Sequence, residues 1–432
     1  MGDRILRRMA ANTLVLLGGK AFSALLGLGA MALAVRALGL EDYGVLILIH
    51  TFAVAVANVG KFQSWQAILR FGAPALADGR PEDLARLVRF TLLLDCGSAV
   101  VAAAATVGGA LLLGPLLGWP DEAASLGALY GLSVLFMVTT TPTGLLRLYD
   151  RFDLLAVQSN VAALVRLAGS AAVFLTGGGL ADFLLVWFVA IVVSCATLYA
   201  SGWREMSRRG HRLGGSVGWR HLARPFGGIW GFVWSTNLNS TVNVGFVHLG
   251  TLLTGALLGP AEAALFRIAR QCATALTKPA RLLVQVIYPE FARLVAAGDM
   301  ARLRELVVRL LGLAAAAATV CLATLALVGP LLLEIIGGGE AQGAYVVLLW
   351  LGAAALLEFW AVPLEPALVS AGRAGTALAV RLVAIAAFVP VLLVAIESLG
   401  LVGAGVATVV AAVVLLLGQL GAVVGLHHRM PR

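Results

Sequence analysis

Apolar runs of about twenty residues, each long enough to cross a bilayer as a helix, recur about a dozen times along this chain. No other feature limits the fold as strongly. Lipid offers the backbone no hydrogen-bond partner, so only helices or a closed barrel can span it. Barrel strands alternate apolar and polar residues, and these runs do not. The chain is therefore expected to be an all-α integral membrane protein. Its spans are expected near residues 10–36, 43–66, 89–117, 122–146, 154–177, 180–201, 227–256, 261–287, 306–333, 342–370, 374–397 and 401–426. Charged residues make up 12% of the sequence, against about 25% in a soluble protein. The basic start "MGDRILRR" resembles a signal sequence, but the apolar run behind it is too long for one and reads as an uncleaved first span.

The connectors sort by charge. One side carries Arg4, Arg7, Arg8, Arg70, Arg80, Arg86, Arg147, Arg151, Arg204, Arg208, Arg209, Arg302 and Arg373. The other carries Glu41, Asp42, Asp121, Glu122, Asp182, Glu262, Glu340 and Glu397, with Arg36 as its clear base. Basic loops face the cytoplasm, so both termini are expected there, as an even number of spans requires. The longest basic connector divides the chain into a six-helix lobe at 1–203, a linker at 204–226 and a second six-helix lobe at 227–432. Six spans per lobe give both the same orientation, the arrangement of a parallel pseudo-repeat. At an offset of 220 Gly39 meets Gly259, and "PTGLLRLYDRF" (142–152) parallels "PLEPALVSAGR" (363–373). The connectors "PEDLARLVRF" and "GDMARLRELVVRL" read as short amphipathic helices at the interface. Cys96, Cys195, Cys272 and Cys321 all fall within spans, without metal-ligand spacing, and are expected to be free thiols.

A charge at the bilayer centre costs about 2.5–3.5 kcal/mol on insertion scales, so it faces a cavity or a partner. All three lysines, Lys20, Lys61 and Lys278, nevertheless lie in expected spans. On the helix "ALFRIARQCATALTKPAR", residues 264–281, a step of about 100° per residue puts Arg267, Arg270, Gln271, Thr274, Lys278 and Arg281 on one face. Pro279 is expected to kink its cytoplasmic end. The span before it aligns Trp230, Trp234, Asn237, Thr241 and His248, indoles and amides suited to stacking on and hydrogen bonding with sugars. The second span places His50, Asn58, Lys61 and Trp65 on one side. The candidate anion-binding set is thus Lys20, Lys61, Arg267, Arg270, Lys278 and Arg281, with Trp234, Asn237 and Thr241 beside it. Snorkelling of the cations to headgroups is the plainer alternative. Acidic residues inside spans are Asp95, Glu358 and Glu365. They are candidates to carry a coupling proton or Na⁺, or to pair with the cations. Arg166 and Arg381 stand isolated in the sequence.

Two six-span halves, "RALGLEDYGVLILIHTF" after the first span and "GALLGPAEAALFRIAR" after the seventh resemble the multidrug/oligosaccharidyl-lipid/polysaccharide exporter superfamily. Within it the chain is similar to the bacterial O-antigen type polysaccharide flippases, along essentially its whole length. That resemblance implies movement of undecaprenyl-diphosphate-linked oligosaccharide, a cell-surface polysaccharide precursor, across the cytoplasmic (inner) membrane. It also implies alternating access around a cationic cavity, with membrane lipid, a polysaccharide polymerase and chain-length proteins as partners. No nucleic acid, metal or organic cofactor is expected, and no enzyme activity: a membrane glycosyltransferase or polymerase usually needs a large external loop or a paired-acid metal motif, which the connectors lack. The alternative within the superfamily is a cation-coupled multidrug exporter. That branch usually has an acid in the first span, where this chain has Lys20.

Overall fold

The structure, a computed structural model, describes residues 2–114, 119–211, 221–277, 291, 294–295, 299–371 and 373–427. Among the described residues the regular structure is helical, with no strand. The elements of the first part are α1 (Gly2–Gly60), α2 (Ser64–Ala77), α3 (Pro81–Leu113), α4 (Asp121–Gly131), α5 (Val134–Met137), α6 (Thr140–Leu148), α7 (Phe152–Thr176), α8 (Leu180–Arg208) and α9 (Ile229–Leu258). After them come α10 (Pro260–Thr277), α11 (Met300–Gly337), α12 (Tyr345–Ala361), α13 (Leu364–Ser370), α14 (Ala374–Leu399) and α15 (Leu401–His427). Among the described residues seven stretches are long and apolar enough to cross a membrane, or eight if the bent pair Glu122–Gly131 and Val134–Leu148 counts as one. The protein is therefore an all-α membrane protein.

Packing divides the chain into two compact units, Met1–Ala256 and Leu257–Arg432. The division falls later than the basic stretch 204–226 because apolar residues at its end and just after it dock on the first unit. Leu222, Phe226, Ile229 and Val233 bury against Ala67, Leu87 and Phe90.

In the first unit α1 is two helices joined at one residue, Gly39, with φ 72° and ψ 178°. That region is essentially closed to any side chain and costs about 1–3 kcal/mol where one is forced in. Exposed Arg36, Glu41 and Asp42 flank the break, and the run Tyr43–Ile49 behind it is wholly buried. The connector expected at 36–43 is thus a single glycine hinge. Two further expectations change. The stretch "PEDLARLVRF" is not a separate interfacial helix but the first turns of α3, and "MARLRELVVRL" likewise opens α11. No proline separates the amphipathic turns from the apolar run, and the one glycine at a junction, Gly312, does not end α11, so the helix continues. The span expected at 122–146 is three helices, with extended or turn residues at Leu132–Ser133 and Val138–Thr139. The span expected at 342–370 is interrupted at Val362–Pro363.

Asp95 on α3 sits where two breaks meet, the one at Lys61–Gln63 between α1 and α2, inside the span expected at 43–66, and the one at Val138–Thr139. It is 1% exposed. It accepts from Ser64 Oγ at 2.6 Å, Thr140 Oγ1 at 2.7 Å, Thr141 N at 2.8 Å and Thr141 Oγ1 at 2.7 Å. Ser64 is the first residue of α2 and Thr140 the first of α6. Helix starts carry unsatisfied N–H groups and a partial positive charge, and one carboxylate answers both. At the far end of the same region Glu205, 7% exposed, accepts from Arg151 at 2.6 Å and Arg209 at 3.0 Å, tying the start of α7 to the end of α8.

In the second unit α10 packs on α12, α12 on α15, and α14 on α15. Leu364, Ala367, Ala361 and Leu416 share a core cluster with Leu303 and Val307 of α11. Gly259, ahead of α10, takes φ 97°, the same sign as Gly39 at the matching position. The four cysteines are free thiols.

Candidate functional site

The polar groups expected inside spans separate into two sets, one in each unit. In the first unit His50, Val54, Ala57 and Asn58 of α1 recur at helical spacing and, with Lys61 just past its end, face a cavity of about 300 Å³. The opposite walls come from Phe136 and Met137 of α5, Thr139 in the break, Gln158, Ala162 and Arg166 of α7, and Ala190, Ile191 and Ser194 of α8. The sequence left Arg166 unassigned, yet the fold sets it on the same cavity as Lys61. Its guanidinium lies over the Trp187 ring at 4.5 Å. The same indole meets His50 edge-on at 4.7 Å, and His50 Nδ1 is 2.7 Å from Tyr130 Oη. Gln158 Nε2 donates to Ser194 Oγ. Among the described lining residues none is acidic.

The end of α1 also meets the polar stripe of α9. Gln63 Nε2 donates to Ser240 Oγ at 2.8 Å, and Asn58 Nδ2 lies 3.4 Å from His248 Nε2. Trp234, 61% exposed, touches the edge of Phe62 at 5.1 Å. Asn237 is buried and its Oδ1 accepts from Thr241 Oγ1 at 3.0 Å, one turn on. Thr241 Oγ1 also reaches the Val59 carbonyl at 3.5 Å. The fold thus gathers Lys61, Trp234, Asn237 and Thr241 around one end of α1. Lys20 lies on α1, but its side chain is outside the described residues.

In the second unit α10 buries Ala263, Ala264, Phe266, Ile268, Ala269, Cys272 and Ala273. Arg267, Arg270, Gln271 and Thr274 are less buried, which is the polar face the sequence periodicity draws. Thr274 Oγ1 turns back onto the Arg270 carbonyl at 2.8 Å. Lys278, Pro279 and Arg281 lie outside the described residues. Of the acids, Glu365 accepts from Arg381 at 2.6 Å, a pairing of two side chains sixteen residues apart that sequence spacing does not mark. Glu358 is exposed, and Asp95 is enclosed by the four donors described above.

With this geometry in hand, residues 9–295 match the family described as polysaccharide biosynthesis protein. The Escherichia coli (strain K12) inner membrane protein YghQ is 35% identical over 295 residues, which is 68% of this chain and 82% of that protein. Among solved structures, an inward-facing multidrug resistance MATE family transporter of the MOP superfamily superposes with a TM-score of 0.77 at 14% identity, covering 97% of this chain and 100% of the other. The lipid II flippase MurJ in an inward closed conformation gives 0.72 at 10% identity, covering 95% and 87%. Both likenesses establish a shared fold over nearly the whole chain.

Proposed function

The chain belongs to the polysaccharide biosynthesis protein family and is a multi-pass bacterial inner membrane protein; from that premise we propose that it is a flippase for lipid-linked oligosaccharide. The substrate class is an undecaprenyl-diphosphate-linked precursor of a cell-surface polysaccharide. The reading is carried by one observation: half-buried cations stand in both units, Lys61 just past the end of α1 and Arg267 and Arg270 on α10. Placing them there is costly, and charge-assisted bonds to a diphosphate offset that cost. Lys20, Lys61, Arg267, Arg270, Lys278 and Arg281 would bind phosphate, and Trp234, with Asn237 and Thr241 behind it, would meet sugar. Twelve spans in two lobes, with both termini cytoplasmic, would let the lobes open alternately. In this reading Asp95 and Glu365 hold structure, and Glu358 is left as the candidate for a coupling proton or Na⁺. A polysaccharide polymerase and chain-length proteins would act on the delivered lipid.

A cation-coupled drug exporter would need an acidic cavity, and the residues lining the first unit's cavity point the other way. The experiment is transport of a fluorescent diphospholipid-linked oligosaccharide in proteoliposomes. Lys61→Ala and Arg270→Ala are expected to cut the rate at unchanged incorporation. Wild-type vesicles that leave the lipid where it started would end this reading.

A further inference from the structure

The rim of the first unit carries a further group of cations, away from the cavity. Ser64, Asp95 and Thr140 are bonded together and so mark one depth. From that depth toward the basic connectors, Arg70 lies six residues along α2 (64 to 70), Arg89 six along α3 (95 to 89) and Arg147 seven along α6 (140 to 147). At about 1.5 Å per residue, three helices each carry an arginine about 9–10 Å from Asp95. Trp230, 51% exposed, stands at the same level, edge-on at 5.1 Å to Phe90, the residue after Arg89. Arginines and an exposed indole sharing one level mark a membrane–water interface. Arg70 is held there before any ligand arrives. Its guanidinium lies 4.6 Å from the centre of the Phe232 ring and 5.4 Å from that of Phe71. Stacking uses the flat faces of a guanidinium and leaves its N–H edges open to oxyanions. Arg70 is exposed, and among the described residues no carboxylate pairs with it. Arg224, also exposed, is on the turn whose Phe226 ring meets Phe71 at 5.9 Å. Neither arginine lines the cavity.

We infer that Arg70, with Arg224, holds the headgroup phosphate of an anionic glycerophospholipid of the surrounding bilayer, of the phosphatidylglycerol type. Two guanidiniums attract its net negative charge and repel the cationic end of a zwitterionic headgroup. Exposed Ala73 and Pro74 follow Arg70 on α2, apolar neighbours that suit a lipid better than a free ion. The bound lipid is a resident of this rim, and the inference does not depend on what the protein moves. In this position it braces the dock of Leu222, Phe226, Ile229 and Val233 on Ala67, Leu87 and Phe90, where the chain enters α9.

The test is thermal unfolding of the full-length protein in detergent, with added phosphatidylglycerol or with phosphatidylcholine of the same acyl chains. A ligand of the folded state raises the melting temperature, and phosphatidylglycerol should raise it about 3 °C or more beyond phosphatidylcholine. Arg70→Gln should remove most of that difference. Arg70→Lys, which keeps the charge but loses the flat fork, should retain part of it. Arg80→Gln removes a cation of the neighbouring connector that is already paired with Asp78 and Asp83, and should leave the difference intact. The inference is overturned if the two lipids act equally, or if inorganic phosphate alone reproduces the shift, which would make the ligand a free anion. It is overturned as well if Arg80→Gln removes as much as Arg70→Gln, since net charge rather than a site would then be at work. Arg224→Gln carries the test should Arg70→Gln fail to fold. Whichever of the two is measured, a variant that keeps the full difference between the lipids ends the proposal.

Discussion

The two units solve one geometric problem with opposite electrostatics. Each has a positive-φ glycine at the matching place, Gly39 at 72° and Gly259 at 97°. Each has an interrupted apolar span, α4–α6 in the first and α12–α13 in the second. In the first unit the interruption is held by neutral hydroxyls and one backbone N–H on Asp95. No basic side chain is among those donors, and Lys61 and Arg166 line the cavity instead. In the second unit the acid beyond the interruption, Glu365, is paired with Arg381. Backbone geometry is what repeats; the placement of charge is what differs, and function resides in such sites rather than in folds.

That contrast can be broken or sharpened by substitution. The largest effect is expected at Asp95. Asp95→Ala leaves four buried donors without an acceptor and should cost about 3 kcal/mol or more, seen as a large drop in the detergent melting temperature. Asp95→Asn keeps an acceptor oxygen and should lose less. Equal, small losses from both would mean the hydroxyls do not depend on the carboxylate. Gly39→Ala comes next, at about 1–3 kcal/mol; a melting temperature within a degree of wild type would show that the hinge does not need glycine. Glu365 and Arg381 are 42% and 28% exposed, so a double-mutant cycle with Gln at each should give a coupling of only about 1 kcal/mol. A coupling several times larger would make the second unit's pair as deeply committed as Asp95 and erase the contrast. Trp234→Ala should be smallest in stability, within about 0.5 kcal/mol as for exposed sites. It should nevertheless lower transport of a sugar-bearing lipid more than that of a bare diphospholipid. Equal loss with both substrates would remove the sugar-contact role.

What the residue pattern reveals and what it hides follow from distance along the chain. Apolar length marks the helices, and a 3.6-residue period marks faces, so the Arg267, Arg270, Gln271 and Thr274 face of α10 is legible before any coordinates. The Gly39–Gly259 correspondence is legible too, because a backbone constraint leaves its mark in one residue. Pairings across helices are not. Ser64 and Thr140 lie 31 and 45 residues from Asp95, and no local period connects them. Arg166 looks isolated because its partner ring, Trp187, is on the next helix. The breaks inside spans also escape, since hydropathy averages over them. The basic stretch 204–226 marks where charge concentrates, while the packing boundary follows apolar residues at its end and beyond it.

A carboxylate owned by two helix starts has a mechanical meaning. Because Ser64 and Thr140 hang on the same two oxygens, α2 and α6 cannot tilt separately without tearing a buried bond. Any bending of the first unit must therefore treat them as one lever. Lys61 and Thr139 precede the two joined helix starts and line one cavity with His50 and Arg166. Swinging the lever would widen or pinch that cavity, so a tilt of helices and the shape of the space become the same movement.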